Sequence, residues 1–163
     1  MVAFAFVVGA VLLLLGDAVI RGSWEVAARG AGPGALVVWA AWMLLVRPSI
    51  RVLPDRAIIT NVGRITEVPW PRVVDIRRKL QLLFELDDGR RVEAWGSPFP
   101  RKRRTEKSRD QVEDEALSVV RGAWMSGASA ASHGEVVRRV DGVALVIGAG
   151  VLLAMIVSLV VLQ

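Results

Sequence analysis

Hydrophobic residues along the chain are gathered into three runs separated by polar stretches. The last of them, Val143 to Leu162, holds twenty residues without a charge. Because an α-helix needs about 20 apolar residues to cross the roughly 30 Å hydrocarbon core of a bilayer, each run predicts a transmembrane helix. The predicted helices are residues 2–20 and 31–46, which form a hairpin within residues 1–46, and residues 142–162.

The first run also has the length of the apolar segment in a secretory signal peptide. No Lys or Arg precedes it, however, and a second apolar run follows closely, so a retained helix is favoured. Asp17 is the one acid inside this run. Acids within a membrane are functional candidates, whereas a position near the end of the run is typical of an interfacial residue. The connector of the hairpin is predicted from Arg21 to Gly34.

The stretch between the second and third runs has the spacing of β-strands. Leu80, Leu82, Phe84 and Leu86 alternate with other residues, which is the period of a strand with one buried face. Short turns rich in Pro, Asn, Asp and Gly separate six such strands over about residues 50–95. The pattern therefore predicts an antiparallel meander that must hide an apolar face.

Two finer predictions concern turns and faces in this meander. Asp88-Gly89 predicts a type I′ hairpin turn, in which both central residues take positive φ. In the fourth strand, Val74 and Ile76 are predicted to share one face because they lie two residues apart.

An amphipathic helix is predicted after the strands, at about residues 109–124. Ser108 to Gln111 is a capping-box pattern, in which side chains satisfy the free amides of the first turn. Apolar residues then recur at helical spacing. The predicted domain covers residues 47–125, and residues 126–141 are predicted to be a linker to the third transmembrane helix.

Composition and charge give the expected orientation. The chain is 53% hydrophobic with a mean hydropathy of +0.46. Sixteen Lys or Arg against eight Asp or Glu lie between Arg47 and Arg109, whereas the hairpin connector has two basic residues. Because basic segments stay on the cytoplasmic side, we expect a multi-pass protein of the cell (plasma) membrane, with the N-terminus and the middle domain cytoplasmic and the C-terminus outside.

The middle of the chain resembles a known family. "RPSIRVLPDRAIITNVGRITEVPWPRVVDI" and "LFELDDGRRVEAWGSP" are similar to actinobacterial membrane proteins that carry a bacterial pleckstrin-homology (PH) domain of the low-molecular-weight-antigen-six type. The resemblance covers about residues 47–104 and implies a bent antiparallel sheet closed by a C-terminal helix. The expected fold class is thus an α+β membrane protein: three transmembrane helices with a cytoplasmic PH-like antiparallel β-sheet or barrel closed by a C-terminal amphipathic helix. A full PH barrel has seven strands, so with six predicted strands one edge is expected to be open.

Two groups of residues are candidates for binding. Basic residues near a membrane are attracted to anionic lipids, although such charges also act as topology signals on a solvated face. Exposed aromatic residues can dock a partner, although they more often pack in a core. The lipid-facing candidates are Arg77, Arg78, Lys79, Arg101, Lys102, Arg103 and Arg104, and the partner-docking candidates are Trp70 and Trp95.

The residues offer little chemistry for catalysis. Cysteine is absent and His133 is the single histidine, so a metal site and a Ser-His-Asp set are both disfavoured. We expect no enzyme activity, no catalytic residue, no metal, no cofactor and no nucleic-acid partner. The favoured function is a membrane-anchored scaffold or accessory subunit that docks a protein partner at the cytoplasmic face of the membrane. The alternative is a module that senses anionic lipid.

Overall fold

The chain folds into two compact units in a computed structural model. The structure describes residues 2–78, 81–96, 109–127 and 134–161. One unit joins Met1–Val46 to Asp141–Gln163, and the other is Arg47–Val140. The first unit is helical, whereas the second combines a helix with two antiparallel sheets, so the described part of the chain is α+β.

Four helices lie in the described part of the chain. They are α1 (Val2–Ile20), α2 (Trp24–Leu45), α3 (Arg109–Gly127) and α4 (Gly142–Val161). The three predicted from the hydrophobic runs, α1, α2 and α4, are each long and apolar enough to cross a membrane.

The connector between α1 and α2 is shorter than predicted. Helix α2 begins at Trp24 and not near residue 31, which leaves only residues 21–23 between the two helices. Residues 24–29 contain two alanines and good helix formers, so the helix extends back to Ser23. Pro33 lies inside α2. Its missing N–H removes a single hydrogen bond, a loss that membrane helices tolerate when neighbouring helices pack against them.

Glycines on α2 allow α1 and α4 to approach it closely. A Cβ atom added at Gly32 would lie 2.7 Å from the Cα of Met155 in α4, and one at Gly34 would lie 2.9 Å from Cγ1 of Val11 in α1. Small residues at such crossings let helix backbones come into contact. The glycine-rich stretch of the sequence is therefore a packing surface in the middle of a helix.

The described residues of the second unit form seven strands in two antiparallel sheets. The first sheet has the order β1 (Ser49–Val52), β2 (Arg56–Asn61), β3 (Arg64–Pro69) and β7 (Val137–Val140). The second sheet has the order β4 (Val73–Arg78), β5 (Leu82–Leu86) and β6 (Arg91–Ala94). Within the described residues the two sheets do not close into a barrel.

Strand β7 corrects the predicted strand count and the predicted linker. It lies inside residues 126–141, which the sequence pattern assigned to a linker, and it pairs with β3 so that Glu67 is opposite Val137 and Arg64 opposite Val140. All four of its residues are exposed. Its sequence is Val-Arg-Arg-Val, and none of these residues is buried. The strand therefore lacks the alternation of apolar and polar residues by which strands are recognised in a sequence.

A bulge in β4 corrects the prediction for Val74 and Ile76. Val73 is opposite Leu86 and Asp75 is opposite Glu85, so Val74 is an extra residue in the pairing. An extra residue shifts by one position the alternation of side chains between the two faces of the sheet. Ile76 is therefore fully buried while Val74 is 58% exposed.

The hairpin between β5 and β6 also differs from the predicted type I′ turn. Gly89 has a φ of 77°, but no described residue other than glycine has a positive φ, so Asp88 cannot take the conformation that type I′ requires. The Gly89 N–H donates to the Leu86 carbonyl at 3.0 Å. A turn followed by one left-handed glycine is the usual alternative for a slightly longer hairpin loop.

The core lies between the two sheets and α3. Strand β5 buries Leu82, Phe84 and Leu86 on its predicted apolar face, while Leu80 lies outside the described residues. Ala116 and Val120 bring α3 onto this core. The predicted capping residue Ser108 also lies outside the described residues.

Candidate functional site

Helix α3 covers the free edge of β4 with side-chain donors. Trp124 Nε1 donates to the Val73 carbonyl at 3.0 Å, and Arg121 donates to the Ile76 carbonyl from Nη2 at 2.7 Å and from Nε at 3.1 Å. Unpaired backbone groups at a sheet edge are a template for pairing with another strand. The α3 side chains therefore close this edge of the second sheet to a partner.

The edge formed by β7 is different, because the strand is exposed along its whole length. Val137 is 49% exposed and Val140 is 61% exposed. β7 is the last strand of its sheet, so the backbone side away from β3 faces no further strand among the described residues. This edge is a position where an extended segment of another chain can add a strand.

The predicted docking residues Trp70 and Trp95 have different positions. Trp70 is fully buried, and its Nε1 donates to the Leu53 carbonyl at 2.8 Å. It lies directly after β3, in a short 3-10 helix between two prolines, and packs against Gly127 at the end of α3. Trp70 is thus a core residue and not a surface for a partner. Trp95 follows β6 and is 54% exposed.

The side chain of Asn61 links the two sheets beside Trp95. Its Nδ2 donates to the Glu93 carbonyl at 2.7 Å, and its Oδ1 accepts from the Trp95 N–H at 3.0 Å. One amide side chain thereby takes the place of a pair of backbone hydrogen bonds between β2 and β6. Asn is common beside turns for its own backbone contacts, so the position of Asn61 before Val62 and Gly63 does not indicate a link between the sheets.

Of the predicted lipid-facing residues, the structure describes the side chain of Arg77 alone. Its Nε donates to Asp75 at 2.6 Å, and its Nη2 lies 3.6 Å from Glu85. The hydrogen bond from Arg77 lowers the pKa of Asp75, and the same bond raises the pKa of Arg77. The backbone of Arg78 lies in β4. Five of the candidates, Lys79, Arg101, Lys102, Arg103 and Arg104, lie outside the described residues.

Most of the other arginines whose side chains the structure describes in the second unit have a carboxylate partner. Glu67 accepts from Arg139 at 2.6 Å and from Arg56 at 3.2 Å on the outer face of the first sheet. At the β5–β6 turn, Asp88 accepts from Arg90 at 2.7 Å, which is the main reason that the pKa of Asp88 is lowered to about 2. These pairs offset the positive charge of the paired arginines locally, whereas the excess of basic residues in the sequence remains.

In contrast, the side chains of three exposed arginines make no hydrogen bond or ion pair with any described residue: Arg51, Arg64 and Arg138. Arg64 and Arg138 lie on neighbouring strands, since Arg64 is opposite Val140 and Arg138 is opposite Thr66. The sequence could not indicate this pair, because the two residues are far apart in the chain and β7 was not predicted.

The helical unit contains an apolar groove of about 600 Å³ between α1 and α2. Its walls include Val11, Leu14, Pro33 and Val37. Asp17, the acid of the first hydrophobic run, lies near the end of α1 and forms a salt bridge to Arg21 at 2.9 Å. Asp17 is thus paired and exposed, and its location at a membrane interface stays a prediction.

Metal-binding side chains are not clustered in the described residues. No group of three His, Cys, Asp or Glu side chains there is placed to hold a metal ion. Comparison with known proteins gave no matching family model, no similar curated protein and no similar solved structure.

Proposed function

We propose that this chain is a non-enzymatic, membrane-anchored protein whose second unit is a cytoplasmic PH-like domain that docks an extended segment of a protein partner along β7. Helices α1, α2 and α4 anchor it across the cell membrane. The observation that carries the proposal is the exposed β7 edge, with Val137 and Val140 49% and 61% exposed. The β4 edge of the other sheet is covered by Arg121 and Trp124.

The orientation and the PH-like architecture have separate support. The excess of basic residues between Arg47 and Arg109 favours a cytoplasmic second unit. Two antiparallel sheets with a helix packed on their core agree with a PH-like arrangement. A strand that follows the helix and joins the first sheet departs from the sheet closed by a C-terminal helix that the resemblance implies.

The docking mode follows from the chemistry of an edge strand. An added strand gains backbone hydrogen bonds along β7, and its side chains alternate between the two faces of the sheet. Val137 lies on one face and Val140 on the other, because they are three residues apart in a strand. Both exposed valines are therefore placed to contact the side chains of a bound segment.

Site-specific photo-crosslinking in the native membrane tests this proposal. A photoreactive amino acid in place of Val137 is expected to give a discrete protein adduct, because the partner strand lies beside it. The matched control places the same amino acid at Val74, which is similarly exposed but belongs to the covered β4 edge. A second substitution, Val140→Lys, should reduce the adduct at position 137 severalfold.

The partner is then identified by mass spectrometry, and its purified segment must bind the full chain with the same dependence on Val140. Equal adducts from positions 137 and 74, or adducts to lipid alone at position 137, would contradict docking along β7.

A further inference from the structure

We propose that Arg64 and Arg138 together bind the phosphate group of an anionic lipid at the membrane surface. The inference depends on the proposed insertion of α4 but not on the protein partner. Both residues are exposed, and neither has a carboxylate partner among the described residues. Neither belongs to the set of basic residues that the sequence pattern singled out.

The register of β3 and β7 brings the two side chains to the same face of the sheet. Arg64 is opposite Val140 and Arg138 is opposite Thr66, so the two arginines are diagonal neighbours. Diagonal neighbours on antiparallel strands are about 7–8 Å apart, which is within reach of long side chains. One phosphate group can therefore accept hydrogen bonds from both guanidinium groups.

Two neighbouring cations without an acid between them repel each other. The opposite, outer face of the same sheet shows the usual arrangement, in which Glu67 lies between Arg56 and Arg139. No such carboxylate serves Arg64 and Arg138 within the part of the chain that the structure describes. An anion from outside the protein relieves this repulsion.

Connectivity then indicates which anion is available. β7 ends at Val140 and α4 begins at Gly142, so Arg138 is four residues before the helix. An extended chain spans at most about 3.6 Å per residue, which limits the distance between the Cα atoms of Arg138 and Gly142 to about 14 Å. If α4 crosses the bilayer, Arg138 must lie close to the headgroup layer.

The apolar residue beside the two arginines favours a lipid over a free phosphate ion. Val140 is 61% exposed and lies on the same face as Arg64 and Arg138. While no partner segment covers Val140, an exposed valine next to two basic groups suits an interface, where the apolar side chain meets acyl chains and the cations meet phosphate. A free phosphate ion would make no use of Val140.

Hydrogen exchange of the full chain in nanodiscs tests the proposal. The discs contain phosphatidylcholine alone or phosphatidylcholine mixed with phosphatidylglycerol. Each basic residue near an anionic surface contributes roughly a fivefold effect, so exchange of the amides in β3 and β7 should slow by up to about thirtyfold in the anionic discs. The double variant R64Q/R138Q should lose this difference.

The matched control is R90Q/R91Q, which removes the same charge from two exposed arginines that are paired with Asp88 and Glu85. It should keep the full difference between discs, and amides of β5 should exchange alike in all variants because the fold is intact. An unchanged difference in R64Q/R138Q, or its equal loss in R90Q/R91Q, would overturn the assignment.

Two further arms separate the remaining explanations. Inorganic phosphate added to phosphatidylcholine discs should not protect β7; protection equal to that in anionic discs would replace the lipid with a free ion and overturn the proposal. Amides of α4 should be protected in every disc. Rapid exchange of the α4 amides in all discs would mean that α4 is not inserted. That result would overturn the membrane anchoring as well as this site.

Discussion

The same substitution at two glycines of α3 should change stability in opposite directions. Gly122 and Gly127 both lie in this helix, five residues apart. A Cβ atom added at Gly122 meets nothing within 4 Å, whereas one added at Gly127 collides with Trp70 and with the Pro54 carbonyl oxygen. Gly122→Ala therefore tests helix propensity alone, and Gly127→Ala tests the close contact with the core.

The expected magnitudes follow from these surroundings. Alanine is favoured over glycine in an exposed helix interior by about 1 kcal/mol, so Gly122→Ala should raise the free energy of unfolding by about that amount. At Gly127 the obstacle includes a backbone oxygen and a fully buried indole. Overpacking of this kind costs about 1–3 kcal/mol, which exceeds the propensity gain at the end of a helix.

Hydrogen exchange of the β5 amides in the full chain, reconstituted in nanodiscs, measures both effects. Strand β5 is the central strand of the second sheet, so its slowest amides report unfolding of the whole unit. A change of 1 kcal/mol alters the exchange rate about fivefold. Unchanged exchange in Gly127→Ala would refute the packing described around Trp70, and faster exchange in Gly122→Ala would refute the open surroundings of Gly122.

Three other predictions address the helical unit, the β5–β6 turn and the cover of β4. Gly32→Ala should lower the free energy of unfolding in mild detergent by about 1–3 kcal/mol, because the added atom meets α4. Gly150→Ala should not, because nothing lies within 4 Å of its added atom. Equal losses in the two variants would contradict the helix packing. The Asp88 carboxyl should titrate near pH 2 by NMR, and Arg90→Gln should move its pKa towards the usual 3.8. Since the folded pKa is the lower one, the stability from this group is present above about pH 4 and lost as the pH falls through 2; an unchanged pKa in the variant would refute the assignment to Arg90. Trp124→Phe removes the hydrogen bond to the Val73 carbonyl and should lower the free energy of unfolding by about 1 kcal/mol. Hydrogen exchange of the β4 amides should then be faster, and unchanged exchange would mean that this hydrogen bond is not formed.

Much of the fold was predictable because local spacing determines it. The three apolar helices follow from the runs of hydrophobic residues, and the face of β5 that carries Phe84 follows from its period of two. The predicted start of α2 was wrong, because Pro33 and its flanking glycines suggest a break where the helix in fact continues. The predicted face of Val74 was wrong because a bulge is determined by the pairing of two strands and not by either strand alone.

The candidate surfaces were less predictable than the fold. Whether Trp70 is buried depends on contacts with residues far away in the chain, such as Gly127. The pairing of Arg64 and Arg138 exists only once β7 is recognised, and that strand has no apolar alternation to reveal it. Sequence spacing predicts neighbours along one element, whereas these surfaces arise between elements.

The position of β7 in the chain has a consequence for folding order. Val52 pairs with Ala57 across a short turn, whereas Glu67 pairs with Val137, which lies far away in the chain. Closing a long loop costs more entropy before its contacts form, and pairings between distant residues form late. The β1-β2-β3 meander can therefore assemble first with an unoccupied place beside β3. Until β7 arrives, the same place accepts the β7 of a second copy, so crowded nascent chains have a direct route to a strand-swapped dimer.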